Sequence, residues 1–216
     1  MCMKEKNIID KSKARNTILP YSFVFDIGNV LLDFKPEKFL HELFSDHSLE
    51  DRMVKTVFCS SEWVKMDQGL MTHREACEIF CLREPGFKAE ILHTMRKLNE
   101  MLTPIDSTIE LLPEIKEAGY RMFYLSNYHK ELRDYVVEKY PFFAMFDGGV
   151  FSCDVNITKP SPEIYKFFLD KYRLSGRDCI FFDDVEENVE AAQKAGINGV
   201  LFTGVECIKS FLYSAV

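Results

Sequence analysis

The chain has 216 residues, 47% of them hydrophobic and 28% charged, and its 19 Phe and 9 Tyr are ample for the core of one domain with an insertion. A formal net charge of -7 argues against a nucleic-acid or anionic-membrane surface, since both need clustered Lys and Arg, and no stretch approaches the roughly 20 apolar residues of a membrane span. The seven cysteines are odd in number, scattered and without CxxC spacing, so they suggest neither a disulfide framework nor a zinc site; reduced thiols in the cytoplasm and a small-molecule partner are the simplest expectation.

Residues 1–21 carry Lys4, Lys6, Lys11, Lys13 and Arg15 with no apolar run behind them, so they read as a mobile polar extension and not as a secretory signal. Phe23, Val24 and Phe25 then form a continuous apolar run, the pattern of a parallel strand covered on both faces. The run stops at Asp26, and Gly28 lets the backbone turn. Ligands of open parallel sheets bind beyond the carboxyl ends of the strands, so a carboxylate there is a candidate nucleophile or metal ligand.

From residue 36 to 107 apolar positions recur at helical spacing: Phe39, Leu40, Leu43 and Phe44; Met53, Val54, Val57 and Phe58; Ala76, Ile79 and Phe80; Ile91, Leu92, Met95 and Leu98. Pro36 suits a first helical turn, Thr72 with Glu75 has capping-box form, and Pro85-Gly86 breaks the run. The segment is predicted to be an insertion of about four helices. His73, Cys77 and Cys81 fall four apart on one of them. Residues eight apart on a helix cannot hold one ion, so they read as packing.

After Thr108 helix and strand alternate, as in a parallel α/β sheet. A helix over 108–118 leads into a strand over 120–127, and a helix over 130–139 precedes a short strand at 149–152. Ser161 and Pro162 have the form of an N-cap and a first helical residue before a helix over 163–172. A strand over 179–184, a helix over 185–195 and a strand over 199–202 follow. Three strands thus finish in Asp26, Ser126-Asn127 and Asp183-Asp184, with Lys159 in a loop expected on the same rim. Each has a bland alternative as a turn cap, a strand terminus, a surface lysine or a partner for a helix dipole; together at strand ends they favour a site.

These residues resemble a known family. Asp26-Ile27-Gly28-Asn29-Val30, Leu125-Ser126-Asn127, Lys159-Pro160 and Phe182-Asp183-Asp184 with Asn188 look like the four ordered motifs of the haloacid dehalogenase superfamily. They most resemble its sugar-phosphatase branch, which includes the bacterial glucose-1-phosphatases and the N-terminal domains of soluble epoxide hydrolases. The resemblance spans residues 22–203. It implies a Rossmann-like parallel sheet flanked by helices, formed by residues 22–35 and 108–216, with an inserted all-helical cap over 36–107.

It further implies a Mg²⁺-dependent phosphatase for a small phosphorylated metabolite, a sugar phosphate first. Asp26 would attack phosphorus and form an aspartyl-phosphate. Mg²⁺ would be held by Asp26, Asp184, the Gly28 carbonyl and Asp183. Lys159 and Ser126, with the backbone amide of Asn127, would contact the phosphoryl oxygens, and Asn188 would orient Asp184. Trp63, Lys65, Met66 and Asp67 are candidate cap residues lining the site, with Trp63 also expected to pack at the hinge. One departure stands out: the usual phosphatase pattern has a second aspartate, the general acid and base, where this chain has Gly28. Asp33, His129 or a metal-bound water are candidate substitutes. The alternatives are a dehalogenase, which needs no metal, and a catalytically silent phosphate-binding module.

Overall fold

The computed structural model describes residues 21–213, so the N-terminal extension, including Cys2, lies outside the described residues. Five parallel strands form one sheet in the order β3-β2-β1-β4-β5: β1 (Ser22–Phe25), β2 (Arg121–Ser126), β3 (Gly148–Phe151), β4 (Cys179–Asp183) and β5 (Asn198–Leu201). β1 is central and pairs with β2 on one side and β4 on the other, with Phe25 opposite both Tyr124 and Phe182. The chain therefore leaves β1 in one direction and returns on its other side, so the strand order switches beside the end of β1. In a doubly wound sheet that crevice is where ligands bind.

The unbroken apolar run in β1 has the cause inferred for it. Phe23 and Phe25 face a cluster containing Met122, Ile180 and Phe182, while Val24 faces a second cluster with Phe123, Phe181, Tyr165 and Phe168. Phe182 stacks on Phe23 and Phe25 at ring separations of 5.8 and 5.6 Å, so the largest side chains fill the layer under the carboxyl ends of the central strands. Helix α10 (Pro162–Tyr172) covers the second face with Ile164, Tyr165 and Phe168, and α11 (Glu186–Lys194) flanks it. The first face is covered by α7 (Leu112–Glu117), α8 (Lys130–Lys139) and α12 (Val205–Leu212).

The segment after β1 and its turn is helical, with α1 (Pro36–Phe44), α2 (His47–Met53), a π turn over Val54–Phe58, α3 (Ser61–Asp67), α4 (His73–Arg83) and α5 (Lys88–Lys97). Five α-helices replace the expected four. The addition is α3, which buries Trp63 and Met66 with the exposed Val64 and Lys65 between them and starts on Ser60, whose hydroxyl accepts from the Trp63 N–H. Thr72 and Glu75 form the reciprocal capping box. The two connections to the core run side by side: Ile105 N–H bonds the Leu31 carbonyl at 2.9 Å and Asp33 N–H bonds the Thr103 carbonyl at 2.8 Å.

Two other local expectations change. The helix expected over 108–118 is split into α6 (Asp106–Ile109) and α7, because Pro113 has no N–H with which to continue the ladder. α12 was not anticipated; its buried Ile208 and Leu212 form one short apolar stripe. The six described cysteines are free thiols. No described helix is long and apolar enough to cross a membrane.

Candidate active site

Asp26 follows the last residue of β1 and is anchored by its own backbone, whose N–H bonds the Phe182 carbonyl of β4 at 2.8 Å. Its carboxylate is buried and accepts from the Ser126 hydroxyl at 2.5 Å and the Ile27 N–H at 2.7 Å. Lys159 Nζ lies 2.9 Å from Asp26 Oδ1 and 2.5 Å from Asp183 Oδ2, and its side chain is 1% exposed. The ammonium is thus placed between two strand ends by a loop that precedes α10. Asn127 fixes that loop, donating from Nδ2 to the Lys159 carbonyl at 2.9 Å and accepting the Lys159 N–H on Oδ1 at 2.8 Å.

Asp183 is fully buried at the end of β4, where Oδ1 accepts from the Val185 N–H at 2.9 Å. Asn188, in the first turn of α11, donates to both Asp183 oxygens at 3.0 and 3.1 Å. It therefore orients Asp183, where the sequence had suggested Asp184. The residue that bonds Asp184 is Asn29, whose Nδ2 donates to Asp184 Oδ2 at 3.0 Å while its Oδ1 accepts from the Phe34 N–H. Sequence reasoning passed over this role. Its only signal was an Asn after Gly28, and Asn29 does occupy the left-handed region at φ 52°.

An oxygen from each of Asp26, Asp183 and Asp184 lies within 4.8 Å of the others. Three carboxylates facing one ammonium are two negative charges in excess when all are ionised. Burial pushes Asp26 up to about 7, with Lys159 opposing and Asp183 adding to the rise. Burial also raises Asp184, while Asn29 opposes and Asp183 adds. For Lys159 burial alone would lower the ammonium, but Asp26 and Asp183 outweigh it and the pKa ends above its ordinary value. Hard oxygen donors and uncompensated negative charge are what a small divalent cation requires, so the donor set fits Mg²⁺. The Gly28 backbone lines the same cavity, and a Cβ there would meet only the Phe34 Cβ at 3.6 Å.

The cavity holds about 190 Å³, and its lining includes Asp26, Gly28, Ser126, Lys159 and Asp184 together with Phe34, Trp63, Asp67 and Leu132. Of the four residues expected from the helical segment, Trp63 and Asp67 line it. Met66 is fully buried in the core and Lys65 is exposed to solvent. Trp63 is also a packing residue, with ring contacts to Phe34, Phe58 and His129. Asp33 is elsewhere, paired with Lys35 in a separate surface depression. His129 borders the cavity. Burial pushes its imidazole down, Glu131 lies 3.4 Å from Nδ1, and Nε2 has no hydrogen-bond partner.

Comparison with known proteins gives the same direction. Residues 22–196 match the model of a hydrolase family described as haloacid dehalogenase-like hydrolase. A sesquiterpene phosphatase from Aspergillus oryzae is 26% identical over 83% of this chain and 88% of its own length. A phosphorylated carbohydrates phosphatase from Thermotoga maritima is 27% identical over 82% of each. Some relatives are longer, and the chain spans 27% of a bifunctional epoxide hydrolase 2 from Rattus norvegicus. Among solved structures, a haloacid dehalogenase family enzyme from Bacteroides thetaiotaomicron, in complex with magnesium and inorganic phosphate, superimposes with a TM-score of 0.66. It is 19% identical and covers 84% of this chain and 93% of its own.

Proposed function

The chain belongs to the haloacid dehalogenase-like hydrolase family, and from that premise we propose that it is a Mg²⁺-dependent phosphatase acting on a small phosphate monoester through an aspartyl-phosphate on Asp26. The observation that carries this reading is the convergence of Asp26, Lys159 and Asp184 on one cavity at the ends of β1 and β4, with Asp183 buried beside them. A dianionic ester approaching an anionic nucleophile needs cationic compensation, and Lys159 supplies part of it. Asp26, Asp184 and the Gly28 carbonyl, with Asp183, would hold Mg²⁺, which supplies further charge neutralisation and polarises the phosphoryl group when bound.

The chain's own groups divide the remaining work. An Asp26 oxygen attacks phosphorus, Ser126 and the Asn127 N–H donate to the phosphoryl oxygens, and Lys159 balances the developing charge. Asn127 and Asn188 position Lys159 and Asp183 respectively. The helical segment over 36–107 acts as the cap that covers the leaving group and excludes water. In the dehalogenase alternative the carboxylates of Asp183 and Asp184 would crowd Asp26 with only Lys159 to offset them, which disfavours it.

A sugar phosphate is the first substrate class, in keeping with the Thermotoga relative. A second reading has its own observation: Phe34, Trp63 and Leu132 add apolar side chains to the lining, which suits the phosphate of an apolar alcohol and accords with the sesquiterpene phosphatase. The free thiols of the described residues accord with a reducing compartment, the cytoplasm first. The test is phosphate release across sugar phosphates and isoprenyl monophosphates, with and without Mg²⁺, beside Asp26→Asn. Release that depends on both the metal and Asp26 is expected. Activity surviving both changes would overturn the mechanism, and tight phosphate binding without turnover would identify a silent module.

A further inference from the structure

Replacing the second aspartate of the usual pattern by Gly28 leaves no carboxyl group on β1 or its turn to protonate a leaving group. The helical segment brings one to the same cavity. Asp67 closes α3 and borders the cavity together with Asp26, Gly28 and Lys159. The Trp63 indole and the backbone N–H of His129, one on α3 and one on the core, both favour the charged form of the Asp67 carboxyl group.

The turn that carries Asp67 is fastened to α9 (Ser152–Val155), the short helix after β3. Ser152 Oγ donates to the Asp67 carbonyl at 2.5 Å and accepts the Tyr128 N–H at 2.9 Å. Asn156 Nδ2 donates to the Gln68 carbonyl at 2.7 Å. Gly69 adopts φ +67° with its backbone against the Cys153 carbonyl, so close that a Cβ would sit 2.4 Å from that oxygen. Three consecutive residues are thus locked onto the core, and the lock sets where the Asp67 carboxyl points. We propose that Asp67 is the proton donor and acceptor of the reaction, taking the role that Gly28 leaves vacant; the assignment rests on the phosphatase reading above.

In the first half, an Asp26 oxygen bonds to phosphorus, the ester P–O bond breaks with its electron pair on the leaving oxygen, and that oxygen takes the Asp67 proton. In the second half, the Asp67 carboxylate takes a proton from water as the water oxygen bonds to phosphorus. The P–O bond to Asp26 breaks and inorganic phosphate leaves. The chemistry needs a carboxyl that is neutral at the start, and burial pushes Asp67 up to about 7. The charged groups facing it are Asp26, which adds to the rise, and Lys159, which opposes it. The Tyr128 hydroxyl and Cys153 thiol also sense its charge. His129 offers the nearest competitor, but its buried imidazole is held neutral and its Nδ1 faces Glu131.

Leaving-group dependence separates proton donation from mere structure. An alkoxide needs the proton and 4-nitrophenolate does not, so Asp67→Asn is expected to lower phosphate release from an alkyl phosphate by about 10²–10³-fold but from 4-nitrophenyl phosphate by less than about 10-fold. The fall in alkyl-phosphate turnover above about pH 7 should vanish in the same variant. Gly28→Asp, for which the cavity has room, should restore turnover to Asp67→Asn. Melting curves give an independent reading. Native Asp67 keeps its proton to about 7 while the unfolded chain loses it near 3.8, so Asp67→Asn should be the more stable form at pH 8, with the gap closing towards pH 4. Equal losses on both esters, no loss, or the leaving-group signature moving to His129→Gln would overturn the assignment. No release from the unaltered protein on either ester would instead overturn the phosphatase reading.

Discussion

Among the described residues two places bring three metal-ligand side chains within 4.8 Å: Asp26, Asp183 and Asp184 at the strand ends, and His41, His47 and Glu50 at the junction of α1 and α2. They differ in how their charge is settled. In the second group, burial alone would raise Glu50, but hydrogen bonds from His41 and His47 at 2.9 and 3.0 Å outweigh it, and both imidazoles stand in solvent. That group has one carboxylate, and its own imidazoles satisfy it. The strand-end carboxylates meet beside one lysine, two of them buried, and Asp26 and Asp184 line a cavity, so their charge is completed only by something from outside. Proximity of ligand types is therefore a weak sign of a site, and buried, uncompensated like charge beside a cavity is a strong one.

The contrast is broken most decisively at Lys159. Lys159→Met leaves Asp26 and Asp183 buried with no ammonium between them, a loss of about 3–5 kcal/mol of stability and about 10²–10³-fold in phosphate release. A variant that melts like the parent and turns over normally would put both groups on the same footing. Gly69→Ala asks whether the cavity depends on the fastened turn as well as the strand ends. The positive φ and the Cys153 carbonyl predict a loss of about 1–3 kcal/mol in the melting curve, with alkyl-phosphate turnover falling more than that of 4-nitrophenyl phosphate. The smallest effect belongs to the exposed group. His41→Gln with His47→Gln should leave the Mg²⁺ requirement and kcat/KM within about two-fold of the parent and change stability by no more than about 1 kcal/mol; an altered metal requirement would show that this group is also a working site.

The sequence foretold the core rim well for a physical reason. A strand buried on both faces must be continuously apolar, so the residue at which Phe23–Phe25 or Ile180–Phe182 gives way to carboxylates is visible without coordinates. Roles that depend on which side chain faces which were not. Asn188 bonds Asp183 and leaves Asp184 to Asn29, a choice made by the turn at Asn29 and the start of α11. Asp67 was singled out as a lining residue, but not for its chemistry. Its environment comes from Trp63, four residues back on its own helix, and from His129, 62 positions on in the chain. α3 escaped notice because only Trp63 and Met66 mark its buried apolar side while Val64 faces solvent and blurs the period, and α12 because eight residues carry too little periodicity.

The paired connections at Leu31–Asp33 and Thr103–Ile105 matter beyond holding the helices in place. Because the chain departs and returns through one hydrogen-bonded neck, the sheet sees the intervening segment as a closed loop whose ends are already joined. Doubling the length of such a loop adds only about 0.6 kcal/mol of closure entropy. The neck therefore separates the closure of the loop from the size of whatever is built above it, and leaves the outer helices free to change so long as the turn carrying Asp67 stays fastened to the core.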